Sequence, residues 1–149
     1  MMLVFHGTLY AGAKNGGLWT SSNNGQSWDF SGTDLFEGRG VSNIEPNPTN
    51  NGDILLSCAH GEMHGMGIFR TLNGGGTWSR TLPTATYIVK IERNPLNSNE
   101  VYAISESVLY KSTDGGSTWS IINGSIQASQ ISAQTCNGGQ TGFFNFSDI

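Results

Sequence analysis

Charged residues are scarce in this sequence, and they make up only 12% of its 149 positions. The seven Lys and Arg residues are scattered, so the chain has no basic stripe of the kind that a nucleic-acid backbone requires. Long apolar runs are missing too, since no stretch approaches the roughly 18 residues of a membrane-spanning helix. We therefore expect neither a nucleic-acid partner nor a membrane span.

Export signals and cysteines are also in short supply. Residues 1–6 lack the basic start and the long apolar region of a signal peptide, so the chain as given is expected to be soluble. Its two cysteines, Cys58 and Cys136, are compatible with one disulfide and also with two buried thiols. Sequence alone does not show whether their Cβ atoms meet, which leaves the redox compartment open.

Glycine, by contrast, is abundant. The 21 glycines lie with many Ser, Thr and Asn residues between short apolar runs, a distribution typical of turns between strands. The length suits a single domain with its own core. The composition therefore predicts an all-β protein.

An internal repeat is the most informative feature of the chain. Residues 18–28, 68–78 and 109–119 each read aliphatic, aromatic, any residue, Ser/Thr, any, Asp/Asn, any, Gly, any, Ser/Thr, Trp. The copies lie roughly 40–50 positions apart, which suits a β-propeller blade of about four short strands. We call the part of each copy that runs from Ser/Thr to Trp a box turn, namely residues 21–28, 71–78 and 112–119.

Each box turn is predicted to be a tight connection between two strands. The Asn or Asp is expected to accept hydrogen bonds from backbone N–H groups one or two residues on. The Gly is expected to have a positive φ, and the Trp to seal the hairpin against the neighbouring strand. These structural residues are Ser21, Asn23, Gly25 and Trp28; Thr71, Asn73, Gly75 and Trp78; and Ser112, Asp114, Gly116 and Trp119.

Strand-like runs upstream of the box turns complete the repeat. They predict a unit of four strands, A to D, with an Asn/Pro turn between A and B and the box turn between C and D. The whole chain then forms one β-propeller segment, with blades at about 3–33, 41–82 and 87–122. We expect the first blade to lack strand A, and residues 127–149 to form a partial fourth blade or a closing strand.

The repeat resembles the bacterial neuraminidase, or Asp-box, repeat superfamily over nearly the whole chain. Residues 109–119 are particularly similar to the repeats of xyloglucan-specific endoglucanases, sortilin-type receptor propellers and photosystem II assembly factors. The resemblance implies β-propeller blades of four antiparallel strands with Asp-box C–D hairpins. It does not imply one activity, because hydrolases, receptors and assembly factors share this fold.

Two departures from the superfamily bear on function. Its members are usually closed rings of six to eight blades, more than this chain supplies. Sialidases also carry an arginine triad with a tyrosine–glutamate pair, which we cannot assign from the four arginines of the chain. Sialidase activity is therefore not expected. The four arginines are Arg39, Arg70, Arg80 and Arg93.

The alternation of strands predicts where a ligand would bind. Antiparallel strands place the A–B and C–D turns at one end of a blade and the B–C and D–A loops at the other. Among the loops, 31–40 contains Asp34, Phe36, Glu37 and Arg39, which offer two carboxylates and an aromatic platform for a sugar. The alternative is a solvated loop between blades.

A second candidate loop, 60–66, lies between strands B and C of the second blade. It offers His60, Glu62 and His64 to a polar ligand, and ordinary surface histidines are the alternative. The His-x-x-x-His spacing is a metal motif chiefly on a helix, whereas this segment is glycine-rich. We therefore predict no metal site and no cofactor.

Taken together, these features favour a non-catalytic propeller module, extracellular or on the cell surface, that binds a carbohydrate or protein partner through the B–C/D–A loops. One alternative is part of a xyloglucanase-like glycoside hydrolase, and another is an assembly factor. The aromatic residues of strand C, Trp19, Phe69 and Tyr110, are expected to pack between blades rather than stack on sugar.

An incomplete ring is expected to need additional blades. A stack of about three blades exposes apolar faces, and the absent strand A of the first blade would match a spare strand at residues 127–135. This complementarity predicts a homo-oligomeric ring in which copies exchange a strand. The alternative is a piece of a longer propeller.

Overall fold

The computed structural model describes residues 2–13, 16–31, 40–59, 67–83, 87–105 and 108–122. These residues form twelve strands and no helix, which confirms the all-β prediction. Blade one contains β1 (Met2–Phe5), β2 (Thr8–Gly12), β3 (Leu18–Ser21) and β4 (Asp29–Phe30). Blade two contains β5 (Gly40–Asn47), β6 (Asn50–Ala59), β7 (Gly67–Thr71) and β8 (Ser79–Pro83). Blade three contains β9 (Ile88–Arg93), β10 (Val101–Ser105), β11 (Leu109–Ser112) and β12 (Ser120–Ile121).

Each blade is a four-stranded antiparallel sheet in which consecutive strands are neighbours. The expectation that blade one lacks strand A is wrong, because β1 pairs with β2 from Met2 opposite Ala11 to Phe5 opposite Thr8. His6 and Gly7 form the connecting two-residue turn with φ values of 47° and 80°. Two positive φ values suit the twist of a short hairpin. His-Gly is a weak sequence signal for such a turn, which is why the strand before it was missed.

This correction removes the basis for the predicted exchange of a strand between copies. In blade one the position of strand A is occupied by the chain's own residues, so no vacancy exists there for a strand of another copy. Residues 127–149, which were predicted to supply the partial fourth blade or closing strand, lie outside the described residues.

The three box turns are built alike around a serine or threonine hydroxyl. The hydroxyl of Ser112 accepts the N–H of Gly116 at 2.8 Å and donates to Asp114 Oδ1 at 2.7 Å. The turn glycines have positive φ, 83° at Gly25, 100° at Gly75 and 92° at Gly116. These φ values are ones that glycine adopts without a Cβ clash.

The acceptor side chain spans a longer stretch of backbone than the sequence predicts. Oδ1 of Asp114 accepts the N–H groups of Ser117 and Thr118, three and four residues on, at 3.0 and 2.9 Å. The predicted partners one or two residues on are wrong for this acceptor. The same four-residue reach recurs at 2.9 Å from Ser27 N to Asn23 Oδ1 and at 2.8 Å from Thr77 N to Asn73 Oδ1. The side chain of Asn23, Asn73 or Asp114 therefore closes a loop that reaches four residues along the backbone.

Two apolar clusters lie between the blades. We call the side of a blade that faces the preceding blade its leading face, and the opposite side its trailing face. Phe69 is 1% exposed in the cluster between blades one and two, and Tyr110 is 8% exposed in the cluster between blades two and three. The predicted packing between blades is thus seen at both residues. Trp19 occupies the same position on the leading face of blade one and is 39% exposed.

The box turns and the A–B turns lie at the same end of the blades. Gly74 N donates to Gly52 O at 2.9 Å, and Gly115 N donates to Asn99 O at 2.8 Å. A Cβ on Gly52 would come within 2.4 Å of Leu72 O, so only glycine permits this approach. We call this the box end, and the opposite end the loop end.

Two glycine substitutions separate backbone strain from packing between blades. Gly7 and Gly116 both have positive φ, but a Cβ meets nothing within 4 Å at Gly7, whereas at Gly116 it would lie 2.7 Å from Leu55 Cδ2 of blade two. Gly7→Ala should reduce the free energy of unfolding by about 1–2 kcal/mol through strain alone. Gly116→Ala should cost roughly 1–3 kcal/mol more, because Leu55 must move. Urea denaturation measures both, and equal losses would contradict the packing described.

Candidate functional site

Several strand ends lie together at the loop end between blades one and two. Gly40, the first residue of β5, pairs with Ala59, the last residue of β6. Val41 N donates to Ala13 O at 3.0 Å, which brings the end of β2 in blade one to the same place. The strand ends that carry connections 14–15, 32–39 and 60–66 therefore lie side by side.

The predicted ligand-binding residues all lie in these connections, outside the described residues. What the structure provides is the framework to which the two longest connections of the loop end are attached. The residues concerned are Asp34, Phe36, Glu37, Arg39, His60, Glu62 and His64. Cys58 lies in the core beneath, 1% exposed, and Cys136 is outside the described residues.

A buried ionic cluster lies toward the box end, between blades two and three. Asp53 accepts two hydrogen bonds from Arg70 in a bidentate pair, from Nε to Oδ1 at 2.7 Å and from Nη2 to Oδ2 at 2.9 Å. Asn47 Nδ2 donates to Oδ2 at 2.8 Å, and Arg93 Nη1 lies 3.7 Å from the same oxygen. We call these four residues the Asp53 cluster. It combines two guanidinium groups with one carboxylate that is 1% exposed.

The Asp53 cluster joins the two blades. Arg70 projects from blade two into the third box turn, where Nη1 donates to Asp114 O at 3.2 Å and to the hydroxyl of Ser117. Burial raises the pKa of Asp53, but the hydrogen bonds from Arg70 and Asn47 outweigh it and hold that pKa below its usual value. Asp53 therefore remains ionised at neutral pH, and Arg70 has a counter-charge while it bridges the blades.

Arg93 is the most buried cation of the described residues. Its Nη1 donates to Ser98 O at 2.6 Å, while Nε and Nη2 are buried without a hydrogen-bond partner among the residues described. Burial lowers the pKa of Arg93, and the nearby Asp53 and Glu45 carboxylates oppose that shift. Since desolvation of a guanidinium is costly, this side chain depends on the Asp53 carboxylate.

Glu45 is a candidate functional group that the sequence analysis missed. Its Oε1 accepts Arg93 N at 3.3 Å from the adjacent blade. The pKa of Glu45 is raised to about 7, chiefly by burial and also by the negative charge of Glu92, against the lowering effect of Arg93 and Lys90. A carboxyl group with this pKa exchanges its proton near neutrality. The signal was available in the repeat, because Glu45 and Glu92 occupy the same place before the Asn/Pro turns.

Glu45 does not belong to the loop end. It lies five residues along β5 from Gly40, which at about 3.3 Å per residue is roughly 16 Å away. Glu45 and the strand ends at the loop end are therefore separate features of the molecule. Among the described residues, no group of three or more His, Cys, Asp or Glu side chains is arranged to hold a metal ion. No helix in the described ranges is long and apolar enough to cross a membrane.

Comparison with solved structures finds several that are similar to this chain. An ancestral GH74 enzyme superposes with a TM-score of 0.67 at 19% identity, over 82% of this chain and 18% of that one. The GH74 enzyme of Niastella koreensis gives a TM-score of 0.48 at 14% identity, over 78% and 28% of the two chains. A complex of YCF48 with a D1 peptide gives 0.32 at 14% identity, over 80% and 50%.

The similarity to the ancestral GH74 enzyme establishes the fold. The three sheets are β-propeller blades, which confirms the fold class predicted from the repeat. The chain spans less than a fifth of the ancestral enzyme's length. No protein-family model and no curated protein sequence matches the chain.

Replacing Asp53 tests whether the cluster holds blades two and three together. Asp53→Asn keeps the shape but removes the counter-charge of two buried guanidinium groups, so we expect a loss of about 3–5 kcal/mol in the free energy of unfolding. Glu100 occupies the corresponding place in blade three and is partly exposed, so Glu100→Gln is the matched control and should cost much less. Equal costs would contradict the role assigned to the cluster.

The raised pKa of Glu45 predicts an unusual pH dependence of the free energy of unfolding. Because its pKa is raised in the folded state, that state binds the proton more tightly than the unfolded chain does. Its contribution to stability should therefore fall as pH rises from about 5 to about 7, by on the order of 1–3 kcal/mol. Glu45→Gln should remove this decline, whereas the exposed control Asp29→Asn should keep it. Urea denaturation at several pH values measures the difference, and parallel curves for Glu45→Gln and the parent would contradict it.

Proposed function

We propose that this chain is a non-catalytic β-propeller module that binds a carbohydrate or protein partner through its loop end. The observation that carries the proposal is the convergence of strand ends there, since Gly40 pairs with Ala59 and Val41 bonds to Ala13. The two longest connections of the loop end, 32–39 and 60–66, are thus attached to one rigid platform. Binding residues are commonly placed on loops that a rigid scaffold positions.

The box end is poorly suited to the same task. The Ser or Thr hydroxyl and the Asn or Asp side chain that define each box turn are engaged in closing it, and the A–B turns of blades two and three bond to the box turns. Polar groups that satisfy one another offer little to a ligand. Loop length also supports the loop end as the binding end, because connection 60–66 of blade two is longer than connection 106–107 of blade three.

An alternative is that the chain is part of a glycoside hydrolase. The observation that favours it is Glu45, whose pKa of about 7 is suited to a general acid. Its place near the box end, between two blades, counts against cooperation with Asp34 or Glu37 in the loops. Release of reducing ends from xyloglucan and other β-glucans tests this alternative: turnover lost in Glu45→Gln or Glu37→Gln would favour the hydrolase.

Binding at the loop end can be mapped residue by residue. In an NMR titration with xyloglucan and β-glucan oligosaccharides, the amides of Ala13, Val41 and Gly67 should shift while those of Gly75 and Gly116 stay in place. His64→Ala and Glu37→Gln should weaken binding severalfold, and Gln26→Ala at the box end is the control. Shifts confined to the box end would contradict the proposal. Absence of binding to every glycan would leave a protein as the partner.

A further inference from the structure

The trailing face of blade three repeats the groups that join blade two to blade three. In blade two, Asn47 donates to Asp53, and Asp53 holds Arg70. In blade three, Asn94 Nδ2 donates to Glu100 Oε2 at 2.7 Å, and Glu100 pairs with Lys111. The strand registers align these residues one for one, because Leu55 lies opposite Arg70 and Tyr102 lies opposite Lys111.

In blade two this set of residues has a defined use. Arg70 reaches the box turn of the following blade, where it donates to Asp114 O, and Leu55 packs against Gly116 of the same turn. Blade one follows the same plan, since Tyr10 at the Leu55 position donates its hydroxyl to Gly74 O at 3.2 Å. The trailing face of each of these blades therefore binds the next box turn.

Blade three carries the same groups without a following blade among the described residues. Tyr102 stands at the position of Tyr10 and Leu55, and Lys111 at that of Arg70. Lys111 instead folds back over its own blade, with Nζ 5.1 Å from the centre of the Tyr102 ring. Its side chain is 29% exposed, compared with 13% for Arg70.

The leading face of blade one corresponds to the leading faces of blades two and three, which are buried against the blade before them. Met2, Ala11, Trp19 and Phe30 lie in one row across the sheet, with Val4 opposite Leu9 in the row beside it. The row is apolar, as are the leading-face residues Phe69 and Tyr110 that preceding blades bury. Here Val4 is 65% exposed and Trp19 lies edge-on to Phe30 at 5.4 Å. The adjacent box turn offers Asn24, whose φ of 56° matches the 67° of Gly74.

We infer that the trailing face of blade three binds the leading face and box turn of blade one in a second copy of this chain. The junction would reproduce the two junctions within one copy. Tyr102 would donate to the Asn24 carbonyl, as Tyr10 does to that of Gly74, and Lys111 would release Glu100 in part to reach the box turn. Since the two faces differ, the contact is heterologous and joins copies head to tail. The contact would combine apolar burial at the leading face of blade one with hydrogen bonds from Lys111 to carbonyls of the box turn.

Light scattering on the 149-residue chain across a concentration series tests this inference. The parent chain should associate reversibly, and Val4→Lys and Lys111→Glu should each raise the dissociation constant at least tenfold. Leu72→Lys is the control, because Leu72 is equally exposed at 65% but lies on the box turn of the middle blade. Circular dichroism and thermal unfolding should show that all variants keep the fold.

Mixing the two variants gives the decisive result. Each variant keeps one intact face, so Val4→Lys and Lys111→Glu chains together should form a one-to-one pair that grows no further. A parent chain that is monomeric at every concentration would overturn the inference, as would association that neither variant weakens. Association lost in both variants and not restored on mixing would also overturn it, because a symmetric contact would then be responsible.

Discussion

The docking of one blade's box turn on the blade before it is the interaction on which the rest of this structure depends. A four-stranded sheet cannot bury both faces alone, so each blade needs a neighbour in a fixed position. Gly116 provides that position by bringing its backbone against Leu55, and Arg70 adds hydrogen bonds from the same blade to the same turn. The Asp53 carboxylate makes this possible by neutralising a guanidinium that would otherwise be buried without a counter-charge.

This arrangement gives the molecule two ends that differ in structure. At the box end, side-chain and backbone polar groups are used to close turns and to join blades. At the loop end, the strand ends at Gly12, Gly40 and Ala59 lie close to one another and carry the connections that differ most between blades. Such a division leaves sequence freedom where a partner would bind and restricts it where the blades meet.

The repeat predicted most of the fold because its signals are local. A serine or threonine, an Asn or Asp and a glycine at fixed spacing specify the turn, whatever surrounds it. Most of what the sequence did not predict depends on the geometry of the folded chain. The four-residue reach of Asp114 and the raised pKa of Glu45 arise from folded geometry, and the latter needs a neighbouring blade. Strand β1 was missed for a different reason, since it is short and its His-Gly turn is an uncommon signal.

The central claim, that successive blades are joined through their box turns, is most directly tested by nuclear Overhauser effects in the labelled chain. The structure predicts contacts between the Tyr10 ring and the Gly74 backbone and between the Leu55 methyls and Gly116 Hα. They should accompany the contacts within each sheet, such as those between β6 and β7. Sheet contacts observed without either contact between blades would contradict the account.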